Sequence, residues 1–381
     1  MRRIYFDHNS TTPVHPEVRA RMAPLLDAEF GNPSSVHETG RQARERVEQA
    51  RREVAALVGG VAEEVVFCSG GTEACNLAIR GLAGAARAGG RGAHVVTSAI
   101  EHPAVAGSCA ELRAQGFEVT VLPVDGAGAV DPDALGRALR RDTVLATIQL
   151  ANHEIGTLQP VRELAALAHA HGVPFHTDAV QAVGRIPVDV QGLGVDLLSL
   201  SAHKIYGPKG AGALWVRRDR DLAPLIAGGH QERERRPGTE NVPGIVGLGA
   251  AADLARRLLP VWGPEVAALR DRLEEGLFAL GARRHGSARG RVPGTSNVAW
   301  EGVEGELVMM NLDLAGVAVS TGAACTSGSI DASPVLLALG LSRARALEGV
   351  RMSLGPDNTA EEVTAVLDLL PEILDRVRRA S

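Results

Sequence analysis

Between residues 64 and 216, short apolar runs alternate with helical patterns, and this alternation constrains the fold more than any other feature. The runs are EVVFCS (64–69), HVVTS (94–98), FEVTVL (117–122), TVLATIQL (143–150), VPFHT (173–177), DLLSLS (196–201) and GALWV (212–216). Segments such as TEACNLAIRGLAGAAR, DPDALGRALR and VRELAALAHAHG separate them, with apolar residues at helical spacing. The caps agree: Asp131 followed by Pro132 opens one segment, and Gly172 closes another. Strands joined through helices run parallel, because the chain must cross back before the next strand starts. The expectation is an α/β fold, a mostly parallel sheet sandwiched by helices. Ligands of such sheets bind beyond the carboxyl ends of the strands.

After about residue 258 the pattern changes. The stretch LLPVWGPEV carries Pro260, Gly263 and Pro264 and reads as a boundary. Beyond it, helix and strand patterns mix less regularly, and the last helix places Val363, Val366, Leu370, Ile373 and Val377 at three- and four-residue spacing. A chain of 381 residues is long for one core. We expect a large domain over 14–258 and a smaller α+β domain built from 1–13 and 259–381.

The net charge of −5 argues against a nucleic-acid or anionic membrane surface as the main partner. The N-terminus MRRIYFDHNS lacks the apolar stretch of a signal peptide, and no apolar run approaches the roughly 20 residues of a membrane span. Cys68, Cys75, Cys109 and Cys325 form no CxxC pair and no zinc spacing. They read as reduced thiols of a cytoplasmic protein. Cys325 stands apart, among the small and polar residues of STGAACTSGS.

Cationic residues are distributed unevenly. Lysine and arginine total 40, yet Lys204 and Lys209 are the only lysines, and both lie in SLSAHKIYGPKGAGALWV (199–216). Lysine can lose its proton and attack a carbonyl, which arginine cannot. Lys204 follows a strand and precedes a glycine-rich turn, so it suits a Schiff base; the plain alternative is a loop lysine. Lys209 suits a loop or phosphate-side cation. A pyridoxal phosphate site would need three more parts. Gly70-Gly71-Thr72 lies between a strand and a helix and could cradle the phosphate, or be a plain cap. Asp178 at a strand exit could hold the pyridine proton, or cap a helix. His102 could stack on the ring, or be an ordinary loop histidine.

Taken in order along the chain, these parts resemble the cysteine desulfurases, pyridoxal phosphate enzymes of fold type I in the class V aminotransferase group. The resemblance runs through YFDHNSTTPVHP (5–16), GNPSSVH (31–37), SGGTEACNLAI (69–79), EHPAV (101–105), NHEIG (152–156) and HTDAVQAVG (176–184). It continues through SAHKIYGPKGAGAL (201–214), RPGTEN (236–241), STGAACTSGS (320–329) and VRMSLG (350–355). It implies that Lys204 carries the cofactor and moves the substrate Cα proton. Gly71, Thr72, Ser201 and His203 would hold the phosphate, with Thr239 reaching the phosphate of a neighbouring subunit, hence a homodimer. Asp178 would pair with the pyridine nitrogen, Gln181 would lie near the ring hydroxyl, and His102 would stack and shuttle protons. Arg351 would bind the substrate carboxylate, with Asn32 and Asn152 orienting the substrate. Cys325, in the loop of the small domain, would take sulfur from L-cysteine as a persulfide, leave alanine, and pass the sulfur to an acceptor such as an iron–sulfur scaffold. ACTS around the cysteine resembles the long-loop branch.

Two departures stand out. The family usually has Asn-Asn-Glu where this chain has Asn152-His153-Glu154, so His153 replaces a residue that contacts the cofactor hydroxyl. An imidazole there is expected to titrate near neutral pH. The chain also ends at DRVRRAS, whereas members serving iron–sulfur assembly often carry a longer tail. A selenocysteine lyase shares most of these parts, as would a non-catalytic sulfur carrier; an aminotransferase would not need Cys325.

Overall fold

The computed structural model describes residues 3–321 and 331–380. Among these residues the strands are β1 (Ile4–Tyr5), β2 (Val65–Cys68), β3 (His94–Ser98), β4 (Glu118–Leu122), β5 (Thr143–Thr147) and β6 (Phe175–Asp178). They continue with β7 (Leu197–Ser201), β8 (Gly212–Val216), β9 (Arg283–Arg284), β10 (Thr295–Ala299), β11 (Val317–Ala318) and β12 (Val350–Ser353). Strands β2 to β8 correspond to the seven apolar runs. They form one sheet in the order β2-β8-β7-β6-β5-β3-β4.

The sheet is parallel from β7 through β4, while β8 runs antiparallel to both neighbours. The connection from β7 to β8 spans only residues 202–211, too short for a helical crossover, so the chain turns back beside β7. Lys204 lies on this connection, in the short 3₁₀ turn Ala202–Lys204. β3 and β5 are adjacent, and the chain leaves them in opposite directions, to β4 and to β6. A crevice opens at such a reversal, outside the carboxyl ends of the strands.

Apolar side chains cover both faces. One core joins Val47, Val54, Leu164, Leu198 and Leu248; the other joins Leu77, Ile79, Val105, Leu112 and Leu214. A further core packs β10 and β12 against the Gly305–Leu314 and Ala360–Ala380 helices through Trp300, Leu312, Met352, Val366 and Leu370. The final helix buries all five apolar residues that its spacing singled out. Phe6 joins this core from the N-terminal segment.

One helix, Val242–Ala279, passes straight through the stretch that reads as a boundary, with Pro260 and Pro264 inside it. None of residues 256–265 is buried, so backbone carbonyls left without a donor by the prolines can take water instead. The same helix therefore supplies Leu248 to one core and Leu273 to another. Leu273 is fully buried. Leu273→Ala is expected to lower stability by about 2–5 kcal/mol, measured by denaturant unfolding. A loss under about 1 kcal/mol would mean the site can collapse around the gap.

Candidate active site

At the strand exits lies a cavity of about 300 Å³. It is lined by Ser10, Gly71, Thr72, His102, Gln149, His153, Asp178, Gln181, Ser201, His203 and Lys204, with Ala104, Ala151 and Val180. Nine residues singled out from the sequence thus meet in one space.

Each arrives by a local cause. β2 ends at Cys68, and a continuous helical stretch begins at Gly71. A Cβ on Gly71 would come within 2.7 Å of Val180 Cγ2, so only glycine lets the turn approach the β6 exit this closely. The helical stretch loosens into a π turn over Leu77–Gly81 before continuing as Leu82–Ala88. His102 caps the Pro103–Ala114 helix, its Nδ1 accepting from Ala104 N at 3.1 Å. Asp178 is the last residue of β6, and its Oδ1 accepts from Val180 N at 2.9 Å. Ser201 ends β7, two residues before His203.

Lys204 is the centre of the electrostatics. Its Nζ donates to Ser10 O at 2.8 Å and also to Asn9 O. Burial, then Arg185, then Arg351 push its pKa down to about 7. A lysine so placed is substantially unprotonated at neutral pH. Burial raises the pKa of Asp178, which His102 and Lys204 partly offset. The same coupling runs the other way at His102, lowered by burial against the pull of Asp178. His203 falls to about 4, through burial and then Lys204 and Lys209.

His153 is drawn in edge-on against His102, with ring centroids 5.2 Å apart. The expectation that it titrates near neutrality meets a different environment. Burial, with His102, Arg351 and Lys204 around it, holds its pKa well below the usual imidazole range. Beside it, burial lifts Glu154 to about 7, while Ser333 donates to Glu154 Oε2 at 2.5 Å.

Four other candidates stand elsewhere. Arg351 lies on β12, and its guanidinium donates to Asp7 Oδ1 (2.8 Å), Ser10 Oγ (2.8 Å) and His153 O (3.1 Å). Asn152 is fully buried and spent on backbone, donating to Ile100 O and accepting from Glu154 N and Ile155 N. Asn32 is exposed, accepting from Ser34 N. Thr239 is exposed and does not line this cavity. Cys325 lies outside the described residues.

Sequence reasoning passed over Asp7, Asn9 and Ser10, although they sit inside YFDHNSTTPVHP. It also missed Arg185, which donates to His8 O at 2.9 Å and to Asn9 Oδ1, and Glu101, which burial raises to about 8. Glu101 accepts from Ser98 Oγ (2.5 Å) and Gln149 N (3.0 Å), tying the exits of β3 and β5 together beside His102.

Three buried polar atoms of cavity residues have no partner among the described residues: Gln181 Oε1, Ser201 Oγ and His153 Nδ1. Buried polar atoms are nearly always paired, so such a cluster fits a polar group bound in the cavity. No group of residues able to hold a metal ion occurs among the described residues.

A family model described as Aminotransferase class-V matches residues 4–366. The cysteine desulfurase IscS of Methanosarcina thermophila is 46% identical over 379 residues, 99% of this chain and 93% of that protein. A cysteine desulfurase of Gluconacetobacter diazotrophicus is 47% identical over 385 residues, 100% of this chain and 96% of that protein. Among solved structures, a NifS-like protein superposes with a TM-score of 0.93 at 36% identity, covering 98% of this chain and 100% of the other.

The surroundings of His153 generate a prediction. A group held neutral contributes no charge change near pH 7, so His153→Asn should leave the spectroscopic pH titration of the site unaltered between about pH 6 and 8. Loss of a titration step in that range on this substitution would show that the imidazole does ionise there.

Proposed function

The chain belongs to the class-V aminotransferase family and, within it, to the cysteine desulfurases, and from that premise we propose how its residues turn L-cysteine into L-alanine. The observation that carries the reading is the meeting of a low-pKa lysine, a buried aspartate and three unpartnered polar atoms around one cavity.

Pyridoxal phosphate, on which this family depends, supplies an electron sink for the carbanion left at the substrate Cα. The residues present fit it. Gly71, Thr72, Ser201 and His203 would hold its phosphate, and Thr239 of the partner subunit would complete that grip. Asp178 would hold the proton of its ring nitrogen, an ion pair that removes the penalty of an isolated buried carboxylate. Gln181 and His153 would meet its hydroxyl, His102 its ring face, and Lys204 its aldehyde carbon.

Arg351 binds the substrate carboxylate in a bidentate pair, pre-oriented by Asp7 and Ser10. Asn152 acts on the substrate's surroundings by shaping the loop that carries His153, whereas Asn32 is exposed away from this cavity and would reach a substrate only from outside it. Lys204, with its pKa near neutrality, takes the Cα proton and returns one later. His102, in the same lining, would shuttle protons at the ring face. The Cys325 thiolate attacks the substrate sulfur: a sulfur–sulfur bond forms, the substrate Cβ–S bond breaks, and its electron pair stays with the three-carbon fragment. Protonation of that fragment gives alanine, and the persulfide passes to a protein acceptor for iron–sulfur or other sulfur-containing cofactor synthesis. A homodimer fits Thr239, exposed on its own chain, and also Leu26, Phe30 and Val36, which are 71%, 79% and 86% exposed.

Two experiments test this. Wild-type protein incubated with pyridoxal phosphate and L-cysteine should produce alanine with one added sulfur on the Cys325 peptide by mass spectrometry, and should release sulfide when a thiol reductant is added. Cys325→Ser should still bind cofactor yet yield neither product; near-normal alanine from this variant would show that sulfur leaves without the thiol. Arg351→Ala should retain the cofactor and raise KM, since removing one partner of a desolvated charged pair costs about 2–5 kcal/mol. An unchanged KM would remove Arg351 from the substrate site.

A further inference from the structure

Glu232, Arg233 and Glu234 stand consecutively in the left-handed region, with φ of 45°, 56° and 65°. Side-chain-bearing residues visit this region singly rather than in runs. Such a run persists only where its surroundings over-determine it. Glu232 explains how. Its buried carboxylate forms a two-point pair with Arg51, both contacts 2.7 Å, and accepts from Phe67 N at 2.7 Å. Phe67 belongs to β2, which leads directly into the glycine turn.

A second tie reaches the far side of that turn. Arg236 Nε donates to Glu73 Oε1 at 2.9 Å, while Glu73 Oε2 accepts from Ser69 N at 2.7 Å. Gln231 Oε1 accepts from Gly238 N at 2.9 Å, which closes the segment on itself. One strained segment is thus fastened to both ends of the Ser69–Glu73 turn.

Charge gives the second tie a purpose. Glu73 lies in the first turn of the helix whose N-terminus faces the cavity. Burial alone would raise its pKa, but Arg236 and the Ser69 donor hold it below the usual range, so it is ionised. A bare carboxylate there would repel a phosphate dianion and cancel the positive end of the helix. Arg236 neutralises it.

We propose that residues 231–238 brace the phosphate turn, Glu232 fixing the strand that enters it and Arg236 fixing its helical side while cancelling the Glu73 charge. The proposal rests on Gly71 and Thr72 holding the cofactor phosphate. Glu232 and Arg236 are positioning residues, acting through the turn rather than on the cofactor.

The test compares pyridoxal phosphate binding to the cofactor-stripped full chain, followed by absorbance, with urea unfolding of the same cofactor-free protein. Arg236→Gln should raise Kd about tenfold, the order of the repulsion that an uncompensated Glu73 charge exerts on a nearby phosphate. Adding Glu73→Gln removes the uncompensated charge and should return Kd to within about twofold of wild type. The cofactor-free unfolding midpoint should be the same in the single and double variants, since both lack the tie, so the difference in Kd between them reads the Glu73 charge alone. An unchanged Kd in Arg236→Gln, or a double variant that binds as weakly as the single one, would each overturn the brace. Wild-type protein with no affinity for pyridoxal phosphate would overturn the functional reading itself, and the brace with it.

Discussion

The site depends on holding one half-buried amine among cations. Lys204 sits where burial, Arg185 and Arg351 all disfavour its charge, and among the described residues its hydrogen bonds go to the backbone carbonyls of Asn9 and Ser10. A primary amine in water is almost entirely protonated at neutral pH and cannot attack or take a proton. The surroundings of Lys204 remove that obstacle without a dedicated base.

Those surroundings are assembled by the N-terminal segment rather than by the sheet alone. Asp7 and Ser10 hold Arg351 of β12, Asn9 holds Arg185, and Thr12 accepts from Tyr206 N while donating to His203 O. Phe6 meanwhile is anchored in the core that β12 shares. Residues 6–12 thus link the carboxyl ends of the large sheet to the smaller core. Asp7 has a double effect: it orients Arg351 and, with Asp178, partly offsets the two guanidiniums around Lys204.

Much of this was legible in the sequence. The seven apolar runs became seven strands of one sheet, because β-branched runs separated by helical spacing have few other ways to bury their faces. Lys204 was legible through the scarcity of lysine, and Gly71, Asp178 and His102 through their positions at strand exits. The antiparallel β8 follows from the short connection that carries Lys204. What was not legible depends on distant pairings. Arg185 and Asn9 are 176 residues apart and meet only in the folded chain. Pro260 and Pro264 read as a break because helix propensity is local, whereas packing of the flanking turns keeps Val242–Ala279 continuous. His153 read as a neutral-pH switch because its residue type says nothing of the cations around it.

Folding, rather than the cofactor, lowers the basicity of Lys204. Competitive labelling of the cofactor-free protein with a lysine-selective reagent across pH, resolved by peptide mapping, reads this directly. With Lys209 exposed as the internal reference, Lys204 should gain reactivity with a midpoint near its lowered value of about 7. A midpoint near the ordinary lysine value of 10.5 would show that burial and the neighbouring cations do not lower it.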